Sequence, residues 1–196
     1  HHPPPPPTTL ATSSAASDVY KRQFQGIEPQ PGPLHIISHN LRGSLKNNLD
    51  MITATGAEII AVQEIDTPEA LATEVQDLAD KRGYSVIWAA PIHITSEAGR
   101  VRRRAAILVQ APHAKTSCTS SPHDQATHTL ISSGRWCEQR VECVCNDGTH
   151  ETIICACLYG HSGASNDTQV ARHNEALHSA AQLRMARFHN KGMPYY

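Results

Sequence analysis

The sequence predicts an α/β protein, and two regions of it support that prediction. Leu34 to Ser38 and Ile59 to Val62 are apolar runs that predict buried strands, and the helical pattern between them predicts a parallel β-α-β unit. Farther along, Arg140 to Cys145 and Thr152 to Tyr159 predict two long strands around Asn146-Asp147-Gly148. That turn sequence is typical of antiparallel hairpins, so we expect strands of both directions.

The first helix is predicted by the residues between the two apolar runs. Ser44 can cap it, and Leu45, Leu49 and Ile52 recur at helical spacing on one face. Gly56 follows the last of them and predicts the helix stop.

A second helix is predicted after the Ile59 strand. Thr67 is the predicted N-cap and Pro68 the first helical residue, with Leu71, Val75, Leu78 and Ala79 on the apolar face. Gly83 predicts its end. Two more strands are expected at residues 84–88 and 105–109, separated by a polar loop rich in arginine.

The last third of the chain is predicted to hold a loop and one long helix. Pro112 to Gly134 is rich in Ser, Thr and His and predicts an irregular loop. Asn166 or Asp167 can cap a helix that ends before Gly192, and Tyr195-Tyr196 looks like the start of a strand. A domain rarely ends by starting a strand, so we expect the folded domain to be truncated there.

Residues 1–23 are predicted to lie outside the folded domain. The first twelve are a proline run with small polar residues, which cannot bury enough apolar surface to fold. Ser13 to Gln23 resembles, over its whole length, the translation of a sequencing-library adaptor. We therefore treat residues 1–23 as a disordered artefact, 24–33 as a linker and 34–196 as a partial domain.

Composition excludes several classes of protein. The 196 residues carry a formal net charge of −1, which does not favour a globally basic nucleic-acid binder. Arg100, Arg102, Arg103 and Arg104 are the one local concentration of charge, and they allow a phosphate-facing groove. No membrane span and no secretory signal is visible, which favours an intracellular location; the oligomeric state is left open.

The cysteines permit two interpretations. Cys143/Cys145 and Cys155/Cys157 form two Cys-x-Cys pairs that can in principle supply a tetrahedral zinc site. A hairpin at Asn146-Asp147-Gly148 would place Cys143 near Thr152, so the pairs would be offset along the ladder. Small thiols that fill the core are the favoured alternative.

Five short motifs occur in an order that resembles a known family. They are His39-Asn40-Leu41-Arg42-Gly43, residues 57–64 ending in Gln63-Glu64, residues 104–108, Gly134-Arg135-Trp136, and residues 158–162. Together they resemble the endonuclease/exonuclease/phosphatase family, which includes deoxyribonuclease I, apurinic/apyrimidinic endonucleases, retrotransposon endonucleases and inositol phosphatases. The resemblance implies the N-terminal part of a four-layer α/β/β/α sandwich with mixed sheets, truncated before its C-terminal half.

The resemblance also implies roles for five residues. Glu64 would be a Mg²⁺ ligand, and Asn40 would hydrogen-bond the scissile phosphate or a metal-bound water. Tyr159 would donate to a phosphate oxygen in the transition state, while Arg42 and Ser162 would contact phosphate. The competing interpretations are a turn asparagine, a solvated glutamate, a surface arginine and a core tyrosine. Several family members have Asn at the position of Ser162.

The same resemblance implies that catalytic parts are missing. The 196 residues contain no Gly-Asp-x-Asn motif and no late Asp-His motif, which in the family supply the base and its partners. His39 and His161 are not the histidine that the family uses. We therefore expect an inactive fragment of a Mg²⁺-dependent endonuclease acting on nucleic acid, with DNA favoured and a retroelement origin plausible. A phosphatase or sphingomyelinase of the family, or a non-catalytic phosphate-binding module, are the alternatives.

Overall fold

The computed structural model describes residues 34–94, 100–111, 113–116, 124–144, 149–161 and 166–196. Residues 1–33, for which an artefact and a linker are predicted, lie outside the described part. The elements in chain order are β1 (Ile36–Gly43), α1 (Leu45–Thr53), β2 (Ile59–Pro68), a 3₁₀ turn (Glu69–Leu71), α2 (Ala72–Asp80), β3 (Tyr84–Trp88), β4 (Ile92–Ile94), β5 (Arg100–Gln110), β6 (Ala114–Thr116), α3 (Gln125–Ser132), β7 (Trp136–Val144), β8 (His150–Leu158) and α4 (Thr168–Asn190).

These strands form two sheets. The first has the order β1-β2-β5-β3, with β4 also paired to β5, and the second has the order β6-β7-β8. β1 and β2 run parallel, as the β-α-β pattern predicts, whereas the other pairings are antiparallel. The first sheet is therefore mixed, and the predicted β7-β8 hairpin strands do pair.

The sheets and helices stack in four layers. One core lies between α1, α2 and the first sheet, a second lies between the two sheets, and a third lies between the second sheet and α3 and α4. Successive side chains of a strand point to opposite faces of the sheet, which explains the layering. Ile60 and Val62 face the helices, whereas Ile59 faces the other sheet. The described part of the chain thus has the α/β/β/α arrangement that the family resemblance implies.

Several predicted elements match the structure closely. α1 buries Leu45, Leu49 and Ile52, although Ser44 makes no side-chain capping hydrogen bond. α4 is capped by Asp167, whose carboxylate accepts from two backbone N–H groups, Gln169 and Val170. Apolar residues at helical spacing indicate which face is buried, and that information is local.

The predicted start of the second helix is wrong. β2 continues through Pro68, and the α-helix begins only at Ala72, after the 3₁₀ turn. Thr67 is a fully buried strand residue opposite Arg103 rather than a cap. The capping pattern is overridden because strand pairing with β5 extends β2 by several residues.

Two predicted loops contain regular structure. The arginines from Arg100 to Arg104 belong to β5, which is eleven residues long instead of the five expected. The segment expected as an irregular loop from Pro112 contains β6 and α3, where Asp124 caps α3 by accepting from Ala126. Polar strands at a sheet end carry little sequence signal, because their side chains have solvent or ionic partners.

The cysteine interpretation is resolved for three of the four residues. Cys143, Cys155 and Cys157 are buried between the sheets, which confirms the core-filling assignment for them, whereas Cys145 lies outside the described residues. Cys143 faces Glu151 rather than Thr152, so the predicted register is wrong by one residue. That shift matters because a one-residue slip exchanges the two faces of a strand.

The last residues lie beside the second sheet. Tyr195 bridges to Ile154 in parallel, and the Tyr196 N–H donates to the Ile154 carbonyl at 2.9 Å. This pairing agrees with the expectation that a strand begins at Tyr195. Among the described helices, none combines the length and the apolar character needed to cross a membrane.

Candidate functional site

The candidate site lies where the parallel strands β1 and β2 lose their regular register. Asn40 is paired with Gln63, and pairing resumes only at Gly43 opposite Ile65. Arg42 and Glu64 lie inside this irregular segment, and their φ angles are +48° and +53°. They are the two non-glycine residues in the described ranges that have positive φ.

Positive φ at these positions stores backbone strain. A residue with a Cβ atom pays about 1–2 kcal/mol in the left-handed region, which glycine occupies without that cost. Such strain persists where the surrounding structure enforces it, and it concentrates at functional sites. Asn40 supports the turn, because its Oδ1 accepts from the Arg42 backbone N–H at 3.2 Å.

The carboxylate of Glu64 is accessible beside a flexible cation. The Arg42 Nε atom lies 3.9 Å from Glu64 Oε2, and the two side chains are 83% and 30% exposed respectively. An ion pair so exposed contributes little to stability, because solvent screens it. Arg42 is therefore able to leave Glu64 and contact an anion at the site without a large energetic penalty.

Gln63 connects this site to the second sheet. Its Nε2 donates to Ser38 Oγ at 3.0 Å and to Cys157 Sγ at 3.2 Å. Cys157 in turn lies against the Val62 carbonyl, with 3.6 Å between the sulfur and the oxygen. The middle of β2 and the end of β8 are thus held together by direct side-chain contacts.

Tyr159 lies at the same end of the two sheets as Glu64. Its ring stacks under the Arg135 guanidinium, with 4.8 Å from the Arg135 Cζ atom to the ring centroid. Arg104, which pairs with Asp66 at 3.3 Å just beyond Glu64, acts electrostatically on the same Arg135. Through the contact between Cys157 and Gln63, the chain just before Tyr159 is joined to the residue that precedes Glu64.

The loop that follows β8 is held rigidly from two sides. Arg135 donates from Nη1 to the Gly160 carbonyl at 2.8 Å. Asn174 on α4 accepts from the His161 N–H at 2.6 Å and donates to the His161 carbonyl at 2.9 Å. A Cβ atom at Gly160 would lie 3.2 Å from Asn174 Oδ1, so the loop and α4 are in close contact.

Charge and burial perturb two groups in this loop region. Burial, followed by the nearby Arg104, lowers the pKa of Arg135, and the Tyr159 phenol partly opposes that shift. Burial also lowers the pKa of His161, to which the positive charges of Arg135 and His173 contribute. His161 is therefore neutral near pH 7 and able to accept a hydrogen bond.

The arginine-rich end of β5 is largely neutralised. Arg102 and Arg104 each lie 3.3 Å from Asp66, and Arg103 pairs with Glu69 at 2.5 Å. The two carboxylates offset most of the charge of these three arginines, which weakens the case for a phosphate-facing groove here. The side chain of Arg100 lies outside the described residues.

The donors at the site suit a hard cation but do not form a closed cage. Glu64 supplies one accessible carboxylate, and Asn40 supplies an amide on the neighbouring strand, opposite Gln63. Within the part of the chain that the structure describes, three or more His, Cys, Asp or Glu side chains do not gather anywhere in metal-binding geometry. Magnesium is commonly held by one or two carboxylates and completes its shell with water and phosphate, so these residues fit part of a magnesium site.

The likeness between this chain and solved structures is low. No family model and no curated protein matches it. The catalytic domain of Xenopus laevis APE2 is similar, with a TM-score of 0.46 and 16% identity over 75% of this chain and 51% of that chain. The chain thus spans about half of that structure. A likeness this distant carries no argument about the roles of individual residues.

The structure brings four of the five candidate residues to one end of the sandwich. Asn40 and Arg42 of β1 lie beside Gln63 and Glu64 of β2. Tyr159 comes two residues after Cys157, which contacts Gln63, whereas Ser162 lies outside the described residues. The clamp by Arg135 and Asn174 was not anticipated. Arg135 belongs to a motif already noted, but a single polar residue within a helix, such as Asn174, leaves no recognisable pattern.

Proposed function

We propose that residues 34–196 form the N-terminal part of the catalytic domain of a Mg²⁺-dependent phosphodiesterase that hydrolyses nucleic acid, with DNA as the favoured substrate. The observation that supports this most directly is the strained backbone at Arg42 and Glu64, where β1 and β2 lose their regular register next to Asn40. Strained backbone beside an accessible carboxylate is expected at a site that binds a ligand rather than at a structural strand end.

Each residue has a distinct part in this proposal. Glu64 would hold Mg²⁺ through its accessible carboxylate, and the bound ion would neutralise charge on the phosphate oxygens. Asn40 would orient the phosphate by donating from Nδ2, because its Oδ1 already accepts from Arg42. Arg42 would clamp the anion with its exposed guanidinium, and Tyr159 would donate to a non-bridging oxygen.

Rigidity of the Tyr159 loop favours this arrangement. Hydrogen-bond donors accelerate a reaction when they are held in place before charge develops, since no reorganisation is then needed. Arg135 and Asn174 supply that restraint by gripping Gly160 and His161. Ser162 is proposed as a further phosphate contact on the family resemblance alone.

The catalytic base of the proposed reaction would come from outside these residues. In-line attack on phosphate needs a positioned base as well as a cation, and no Gly-Asp-x-Asn or late Asp-His motif occurs in the 196 residues. We expect the chain at this length to bind phosphate without turning it over. A protein carrying the further motifs is expected to cleave.

The test measures Mg²⁺-dependent nicking of supercoiled plasmid. The protein used is the one expressed from the reading frame extended beyond Tyr196. Glu64→Ala is expected to lose about 10²-fold or more, because a metal ligand contributes several kcal/mol to the transition state. Glu74→Ala is the matched control, since this surface glutamate pairs with Lys46 on the helical face of the domain. Equal nicking by Glu64→Ala and wild type would remove Glu64 from the site.

The alternatives predict different outcomes of the same experiment. Release of inorganic phosphate from phosphomonoesters, or of phosphocholine from sphingomyelin, without plasmid nicking would favour the other enzymes of the family. A reading frame that ends without the missing motifs would favour a phosphate-binding module. That module would bind a short oligonucleotide with an affinity that Arg42→Ala lowers, and it would leave the oligonucleotide intact.

A further inference from the structure

Two buried thiols face each other across the second sheet. Cys137 in β7 is directly opposite Cys157 in β8, and the side chains are 4% and 1% exposed. Their thiols are hydrogen-bonded to each other. Opposed residues in an antiparallel ladder have Cα atoms about 4.5–5.5 Å apart, which lies within the range that a disulfide can bridge.

The two thiols differ in their electrostatic environment. The hydrogen bond from Cys137, followed by that from Gln63 at 3.2 Å, lowers the pKa of Cys157. Burial raises the pKa of Cys137, which therefore keeps its proton and donates. The thiolate is the reactive form, so the lowered pKa favours Cys157 over Cys137 as the first of the two thiols to react.

Cys157 also has a route by which a small molecule can reach it. It borders a cavity of about 260 Å³ between β1, β2 and β8, which is lined as well by Ser38, Gln63 and Tyr196. A water molecule occupies about 30 Å³ of liquid, so the cavity is large enough for hydrogen peroxide. Cys137 does not line this cavity, so an oxidant entering there reaches Cys157 before it reaches Cys137.

We propose that Cys157 is a peroxide-reactive thiol that closes a reversible disulfide with Cys137. The Cys157 thiolate attacks one oxygen of hydrogen peroxide; the O–O bond breaks, an S–O bond forms, and hydroxide leaves as water after taking a proton. The Cys137 sulfur then attacks the sulfenic sulfur, forming the S–S bond and breaking the S–O bond. The Cys137 proton leaves with the hydroxyl group as a second water, so two thiols and one peroxide yield one disulfide and two waters.

Oxidation would also change the contacts of the candidate site. The disulfide changes the Cys157 sulfur that accepts from Gln63, and Gln63 directly precedes Glu64 in β2. Oxidation of Cys157 would consequently alter the strained backbone at Glu64 through one side chain, that of Gln63. This consequence, unlike the disulfide itself, rests on the proposed phosphodiesterase function.

The test is a thiol count on the complete chain after exposure to hydrogen peroxide. The protein is unfolded in N-ethylmaleimide, and its intact mass should show four adducts instead of the six expected from the six cysteines of the reduced chain. Peptide mapping should link Cys137 to Cys157, and dithiothreitol should restore all the adducts. An unchanged adduct count, or a link between any other two cysteines, would overturn the proposal.

Variants separate the two roles. Cys157→Ser should abolish the link, whereas Cys137→Ser should leave a sulfenic acid on Cys157 that dimedone traps. Cys155→Ser is the matched control, because Cys155 borders the same cavity but faces Gln139 instead of a thiol; it should leave the link intact. The mass readout does not depend on phosphodiesterase activity, so failure of the proposed function would leave this result standing.

Discussion

Glycine usually lowers stability relative to alanine, but the strained backbone at Glu64 leads us to expect the opposite there. We expect Glu64→Gly to be more stable than Glu64→Ala, because the φ angle of +53° suits glycine and penalises any residue with a Cβ atom. Both substitutions remove the same carboxylate and the same exposed contact with Arg42. The difference between their free energies of unfolding therefore reports the cost of the backbone conformation alone.

The size of the difference follows from two opposing contributions. A Cβ atom in the left-handed region costs about 1–2 kcal/mol, whereas glycine loses about 0.5–1 kcal/mol more conformational entropy on folding. The balance favours Glu64→Gly by about 1 kcal/mol. Urea unfolding followed by circular dichroism, with equal slopes for the two variants, measures this difference.

Met51 provides the matched control. It is an exposed residue inside α1, 44% accessible, where the backbone is ordinary helix. There Met51→Gly should be less stable than Met51→Ala by about 1 kcal/mol. If glycine is no better than alanine at position 64 while the Met51 pair behaves as expected, the strain at the turn is not real and the main support for the site is lost.

Three other expected outcomes concern stability. Glu138→Ala should lower the free energy of unfolding by about 3–5 kcal/mol, because it leaves Arg184 buried without its carboxylate; each side chain is 9% exposed, and urea unfolding measures the loss. A hydrogen bond from Arg103 lowers the pKa of Glu69, so its stabilising effect is present above the ordinary value of 4.5 and is lost as the pH falls through the folded pKa. Glu69→Gln should flatten the dependence of the urea midpoint on pH below that value. Burial raises the pKa of Tyr84 to about 12 from an ordinary 10, so the unfolded chain ionises first and stability should fall between pH 10 and 12. Tyr84→Phe should remove that alkaline loss, and ultraviolet titration of the phenols should show Tyr84 ionising late.

The prediction of helices and strands was correct where one face of the element is apolar. Leu45, Leu49 and Ile52 repeat at helical spacing, and burial against the first sheet follows from that repeat. Prediction failed where polar residues are paired within the fold. The end of β2 at Thr67 and the arginine-rich half of β5 are strand because they pair with each other, with Thr67 opposite Arg103. Nothing local distinguishes such residues from a cap or a loop.

The candidate site also has a part that the sequence predicts and a part that it does not. The order of the motifs identified Asn40 and Glu64, and a parallel β-α-β unit places both at one sheet edge whatever the details of packing. The clamp on the Tyr159 loop joins β7, β8 and α4, which are far apart in sequence. Its existence depends on how the layers pack, so no spacing within the chain reveals it.

By itself, the sequence determined the β-α-β unit, the apolar helix faces and the antiparallel pairing of β7 and β8, since each depends on short-range periodicity and turn chemistry. Only the tertiary structure decided the positive φ angles of Arg42 and Glu64, and only it set the register that opposes Cys137 to Cys157. The physical reason is that strain and thiol contact are imposed by neighbouring strands. A slip of one residue would move each of these side chains to the opposite face of its sheet.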